Sequence, residues 1–196
     1  YIERCVRSLM EQTLPNMEFI FVDDCTPDNS IDILTQVVDE YPARKGQVTI
    51  LHHDKNKGLA QARASGMAMA SGEFIAHCDS DDWMDKDAYR SMYDAAIANN
   101  ADVVACDYFK AFSESDIQYF PGIDWSDDIH DNIKSYLEFP LTTVWMLLIK
   151  KSVYQAMCDT DTEAIQRTAN LRLSYCEDFH LSVRLLAHAK KMIRIP

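Results

Sequence analysis

The chain has no apolar run approaching the ~20 residues of a membrane-spanning helix, and no basic-then-apolar segment like a secretory signal. It has no CxxC pair. Its six cysteines fall at irregular spacing, which points to reduced, mostly buried thiols of a cytosolic protein rather than to a disulfide framework. Positive charge is scarce: 19 Lys and Arg stand against 31 Asp and Glu, a formal charge of −12. That balance argues against nucleic acid or an anionic membrane as a main partner, and a phosphorylated substrate would need a metal or a local basic patch. Glycine is rare, five in 196 residues, and no GxGxxG follows a predicted strand, against a dinucleotide fold with the usual pyrophosphate loop. Repeats, low-complexity tracts and linkers are absent as well. With 47% hydrophobic and 26% charged residues, residues 1–196 are read as one domain with a single core.

What is present alternates. Ile2, Cys5, Val6, Leu9 and Met10 repeat at helical spacing up to Leu14-Pro15-Asn16. Phe19–Val22 reads as a strand ending in Asp23-Asp24. The turn at 25–30 caps a helix carrying Ile33, Leu34, Val37, Val38 and Tyr41. A strand at Val48–Leu51 follows, then Lys57-Gly58 opens a helix from about Leu59 to Ala70, closed by Ser71-Gly72. The Glu73–Ala76 run is a further strand, 87–99 a helix and 102–106 a strand. This order predicts an α/β fold, a mostly parallel central sheet covered by helices on both faces. The second half is less regular. Residues 108–125 read as a hairpin or extended connection, 131–138 as a helix, Val144–Ile149 as a strand, Thr160–Asn170 as an acceptor loop, and 192–195 as a last strand. The chain opens at Tyr1 inside a helical pattern, so a first strand is expected before residue 1 and further segments after the end.

The stretch 73–83 ends in three carboxylates within four positions, Asp79, Asp81 and Asp82, at the carboxyl edge of a predicted strand, where α/β proteins place ligands. Carboxylates about 6 Å apart repel by roughly 2–3 kcal/mol per pair at an effective dielectric near 20. No basic residue follows until Lys86, so a divalent cation would offset that repulsion. Oxygen-only donors suit Mg²⁺ or Mn²⁺ bound jointly with substrate phosphates. The plainer reading is an acidic turn capping the next helix. An EF-hand loop from Asp79 fails, because Met84 and Arg90 stand where Gly and Glu belong. A phosphatase-type aspartyl strand fails at Trp83. Zinc at His52-His53 or at Cys176 and His180 lacks a second ligand pair at suitable spacing.

In order along the chain stand Cys5–Leu9 with Gln12-Thr13, Glu18–Asp24, Asn56–Arg63, Ala70–Ile75, the cluster Asp79-Ser80-Asp81-Asp82, and Glu177-Asp178. Together they resemble the family two glycosyltransferases, a large inverting group with a nucleotide-sugar-binding GT-A fold; residues 1–110 match closely and the remainder loosely. The resemblance implies a nucleotide-sugar-binding half at 1–110 and an acceptor-side half at 111–196. Asp23 and Asp24 would hold the uracil or ribose end of a donor such as a UDP-sugar, with helix capping as the alternative role. Arg63 would reach the nucleotide or its phosphates, and Asn56 and Gly58 would form a tight turn beside the donor. Asp81 would bond the metal directly, Asp79 would hold the donor sugar or ribose and share the ion, and Asp82 would assist through water. Asp178 would be the catalytic base, with Glu177 beside it; both could instead cap the following helix. Trp145 matches an aromatic often near the acceptor, although Trp in an apolar strand is more often core.

Two departures stand out. Ala64-Ser65-Gly66 follows Arg63 where the family usually has Asn, and the Gln-x-x-Arg-Trp motif of processive synthases is absent, which points to transfer of a single sugar or to a missing C-terminus. The expected activity is sugar transfer from a nucleotide donor to a hydroxyl of a surface polysaccharide or a lipid-linked glycan acceptor. Contact with the inner face of the membrane and a homodimer are both compatible with it. A sugar nucleotidyltransferase would want a Gly-rich basic loop that is not visible. A binding module without turnover would not need Asp79, Asp81 and Asp178 intact.

Overall fold

The computed structural model describes residues 1–113, 115–122, 124–126, 128–138, 143–160 and 177–196. Their contacts gather into two compact units, one of residues 1–73 and 78–90, the other of residues 74–77, 91–160 and 178–196.

In the first unit, α1 (Ile2–Met10) buries Cys5, Val6, Leu9 and Met10, the positions that helical spacing selects. It packs on α2 (Ser30–Asp39), whose Leu34, Val37 and Val38 close that core. A short α3 (Pro42–Lys45) follows, with Pro42 where the helix start tolerates a missing N–H. Strands β1 (Phe19–Asp23) and β2 (Val48–His52) pair in parallel, from Phe19 opposite Val48 to Asp23 opposite His52. Helix α4 (Leu59–Met69) lies on β1. Gly58 begins it at φ 87°, a conformation that side chains with a Cβ rarely adopt.

Helix α5 (Ala88–Asn99) carries the chain into the second unit. There a four-stranded sheet runs in the order β3 (Phe74–Ala76), β7 (Leu147–Lys150), β4 (Val103–Cys106), β8 (Met192–Ile195). Strand β7 is antiparallel to both its neighbours, while β4 and β8 are parallel. Strands β5 (Tyr108–Ala111) and β6 (Ile117–Phe120) form an antiparallel hairpin, the first of the two arrangements expected there. Helices α6 (Ile129–Glu138), α7 (Lys151–Thr160) and α8 (Glu177–His188) complete the unit. Val103, Val104, Leu147, Ile149, Leu185 and Leu186 are its fully buried centre.

The α/β class stands, with mixed rather than uniform strand direction. The apolar run 144–149 enters the sheet only from Leu147. Val144 to Leu147 instead makes a turn, the Leu147 N–H donating to the Val144 carbonyl at 3.1 Å, because an apolar run marks burial and not strand pairing. Trp145 sits half-buried, edge-on to Tyr108 with ring centroids 5.2 Å apart. Beyond Thr160, the segment read as an acceptor loop lies outside the described residues, as does Cys176. Among the described residues, no helix is long and apolar enough to cross a membrane.

Candidate functional site

The parallel register of β1 and β2 decides what happens at their carboxyl edge. Because Asp23 lies opposite His52, the chain ends carry two Asp–His pairs side by side. Asp23 Oδ2 meets His52 Nδ1 at 2.9 Å, and its Oδ1 accepts the Thr26 N–H at 2.9 Å. Cys25 turns the chain back for that bond at φ 61°, in the left-handed region. The Thr26 N–H, then His52, hold the Asp23 carboxyl below the usual carboxylate range.

Asp24 is bound more completely. Its Oδ1 accepts the Lys57 N–H at 2.8 Å and meets His53 Nδ1 at 2.7 Å, and its Oδ2 accepts the Gly58 N–H at 2.7 Å. Asn56 Nδ2 donates to the Asp24 carbonyl at 3.0 Å. Burial pushes the Asp24 carboxyl up, but His53 and the two backbone donors outweigh it and leave it lowered. His53 continues the chain of bonds: its Nε2 lies 2.9 Å from Ser65 Oγ on α4. A neutral ring with its proton on Nδ1 donates to Asp24 and accepts from Ser65, satisfying both. Asp24 therefore fixes the entry of α4, and Asn56 and Gly58 belong to the same turn. Sequence reading singled out all three but not the part played by His52, His53 and Ser65. No local signal marks that part, because it depends on the register that sets Asp23 opposite His52.

The second acid group is the turn Asp79–Asp82, closed by the Asp82 N–H donating to the Asp79 carbonyl at 3.1 Å. The thiols of Cys5 and Cys78 lie 3.9 Å apart, each 3.6 Å from that same carbonyl. Arg63, almost wholly buried, reaches from α4 to pair its Nη2 with Asp79 Oδ1 at 2.8 Å. The family-like pair Gln12-Thr13 holds the segment after the turn. Buried Gln12 donates to the Asp85 carbonyl at 2.7 Å and accepts the Tyr89 N–H at 3.2 Å. The Thr13 N–H donates to the Lys86 carbonyl at 2.9 Å, and its hydroxyl to Asp87 at 2.7 Å. A buried glutamine with both ends satisfied is a strong local tie.

Asp81 and Asp82 differ from Asp23, Asp24 and Asp79: among the described residues, none donates a hydrogen bond to either carboxylate. Burial, then the charges of Asp81 and Asp79, raise the Asp82 carboxyl. Among the described residues no group of three or more His, Cys, Asp or Glu side chains is arranged to hold a metal. Asp81 and Asp82 nonetheless offer unshared carboxylate oxygens on one turn, a donor set that fits a hard divalent ion completing its shell with phosphate oxygens and water. His53 is bonded at both ring nitrogens, to Asp24 and Ser65, whereas His52 is bonded at one, to Asp23. Glu177 and Asp178 open α8; their side chains, and that of His180, lie outside those described.

A sheet edge carrying fixed acids, beside a turn of unsatisfied ones, belongs to the α/β proteins that bind ligands beyond their strand ends. The whole chain superimposes on TarS of S. aureus (residues 1–349) with a TM-score of 0.75 at 18% identity, covering 100% of this chain and 54% of that one. Over 114 residues it is 33% identical to the uncharacterized glycosyltransferase EpsJ of Bacillus subtilis, covering 58% of this chain and 32% of EpsJ. Over 120 residues it is 33% identical to the glycosyltransferase GlyG of Streptococcus pneumoniae, covering 61% of this chain and 38% of GlyG. The chain thus spans about a third of the length of these curated relatives. The model of glycosyl transferase family 2 matches residues 1–156, and the chain belongs to that family.

Proposed function

We propose that the protein transfers a sugar, with inversion, from a nucleotide-diphosphate sugar to an acceptor hydroxyl in the synthesis of a surface polysaccharide or glycolipid. The observation that carries this reading is the pairing of Arg63 with Asp79 at 2.8 Å, which joins helix α4, held by the Asp24 network, to the carboxylate turn. Solved structures of TarS with UDP and with UDP-GlcNAc share this fold and favour UDP as the donor nucleotide.

In this reading Asp23, which keeps acceptor capacity beyond its two bonds, takes the donor's ribose or base N–H. Asp24 with Asn56 and Gly58 keeps the adjoining turn in place. Arg63 sets the Asp79 carboxylate and would reach the donor nucleotide or its phosphates. Asp81, with Asp79 or Asp82 assisting, would hold Mn²⁺ or Mg²⁺. When bound, such an ion neutralises charge on the departing nucleoside diphosphate. Asp178 accepts the proton of the attacking hydroxyl, with Glu177 next to it in sequence.

Incubation with UDP-sugars and Mn²⁺, following UDP release, tests the reading. Asp178→Asn is expected to lower turnover by about 100-fold or more while UDP binding persists. Unchanged turnover in that variant removes the base assignment, and UDP binding without turnover in the natural protein leaves a binding module.

A further inference from the structure

Beside the carboxylate turn, within the first unit, a cavity of about 620 Å³ opens between α1 and the loop carrying Trp83, within the ~300–1,000 Å³ range of small-molecule clefts. Its walls are anchored. The Met84 N–H donates to Ser8 Oγ at 3.1 Å, and Gln12 and Thr13 hold residues 85–87 as described above.

The charges in those walls are unequal in their partners. Glu3 and Arg7 pair with each other, and Arg7 also forks onto Glu40 at 2.6 and 3.0 Å. Glu11 accepts the Tyr41 hydroxyl at 2.7 Å. Arg4 and Lys86 have no carboxylate partner among the described residues, although the chain carries 31 acids against 19 bases. Arg4 is stacked on Trp83, its guanidinium carbon 3.2 Å from the ring centroid. A guanidinium held over an aromatic face is restricted in position while its N–H groups can still meet an oxyanion in bidentate fashion.

We infer that this cleft is a subsite for an oxyanion on a sugar-sized acceptor, a uronate carboxylate or a sugar phosphate, gripped by Arg4 and Lys86 against Trp83. Naming the ligand an acceptor rests on the glycosyltransferase reading. The oxyanion chemistry rests only on the cleft. Trp83 follows Asp82 directly, so an acceptor held here lies next to the turn proposed for the donor. The two unpaired cations supply local attraction in a molecule whose net charge would otherwise repel an anionic acceptor.

The Trp83 indole N–H resonance, identified by its loss in Trp83→Phe, reports binding without donor or metal. Titration with glucose 6-phosphate or with glucuronate is expected to shift it saturably in EDTA, and glucose is expected not to. The anion that binds identifies the source. Arg4→Ala and Lys86→Ala, both at exposed positions, should each weaken that binding about tenfold or more while keeping the natural circular dichroism and UDP affinity. Equal shifts with glucose, or no shift with either anion, overturn the inference. So does a loss of UDP affinity in Arg4→Ala matching the loss for the anionic sugars, which would give the cleft to the donor. Because UDP binding is read separately, a protein that binds the anions but no UDP would sink the proposed function and leave the subsite standing.

Discussion

Asp24 and Asp82 are both acids at the end of an apolar run, and the protein treats them in opposite ways. Asp24 is met by two backbone N–H groups and a histidine, and its carboxyl is lowered. Asp82 is met by burial and two like charges, and its carboxyl is raised. Asp107 in the second unit follows the first pattern. Arg194 donates to it through Nε at 2.6 Å and Nη2 at 3.0 Å, and the Gly122 N–H donates at 2.8 Å. Acids of the first kind hold structure. An acid of the second kind costs stability in the free protein, a cost that persists where something outside the chain is meant to offset it.

The sharpest way to break this contrast is Asp24→Ala. It strands two backbone donors and a histidine, and should cost about 3 kcal/mol in urea unfolding; a loss below about 1 kcal/mol would mean that the turn is held by something else. Next comes acid. Burial would raise Asp107, but Arg194, Gly122 and Tyr119 hold it down to about 2 from an ordinary 3.8. A lowered carboxylate contributes stability that is complete above the ordinary value and is lost as pH falls from about 4 through about 2. That contribution is roughly 2 kcal/mol. Arg194→Met should flatten this part of the stability–pH curve, and an unchanged curve would contradict the assignment.

The two histidines sharpen the comparison further. The His53 side chain is 3% exposed and bonded at both ring nitrogens, whereas that of His52 is 58% exposed with one bond. His53→Ala is expected to cost about 1–2 kcal/mol and His52→Ala less than about 0.5 kcal/mol. Equal losses would remove the distinction. Comparably small, and opposite in sign, is Asp82→Asn. Relieving a repulsion screened by solvent should raise stability by about 0.5 kcal/mol, and a thermal unfolding scan showing destabilisation would mean that the turn has a partner after all.

Much of this contrast could be read from residue order. Apolar runs located β1, β2, β4 and β8 to within a residue or two, and the spacing of Cys5, Val6, Leu9 and Met10 located α1, since burial on one face leaves its period in the sequence. Helix α7 went unread although Val153, Tyr154 and Met157 carry helical spacing, because Lys150-Lys151 looked like the end of a strand and not the start of a helix. The direction of β7 left no trace either: strand pairing is a long-range choice that local patterning does not encode. At the site, the acids were visible as composition, but their partners were not. Whether Asp24 is satisfied depends on β2 ending opposite β1 so that His53 meets it, and on Gly58 folding back, and neither is a property of any single segment.

In the proposed function, Asp81 and Asp82 of the carboxylate turn lack a counter-charge in the free protein and receive it with the nucleotide. Calorimetric titration of UDP into the natural protein and into Asp81→Asn, each with Mn²⁺ and with EDTA, tests it directly. Binding in the natural protein should strengthen by about tenfold or more with Mn²⁺, and Asp81→Asn should bind UDP equally weakly in both conditions. Equal UDP affinity in all four titrations would contradict the account.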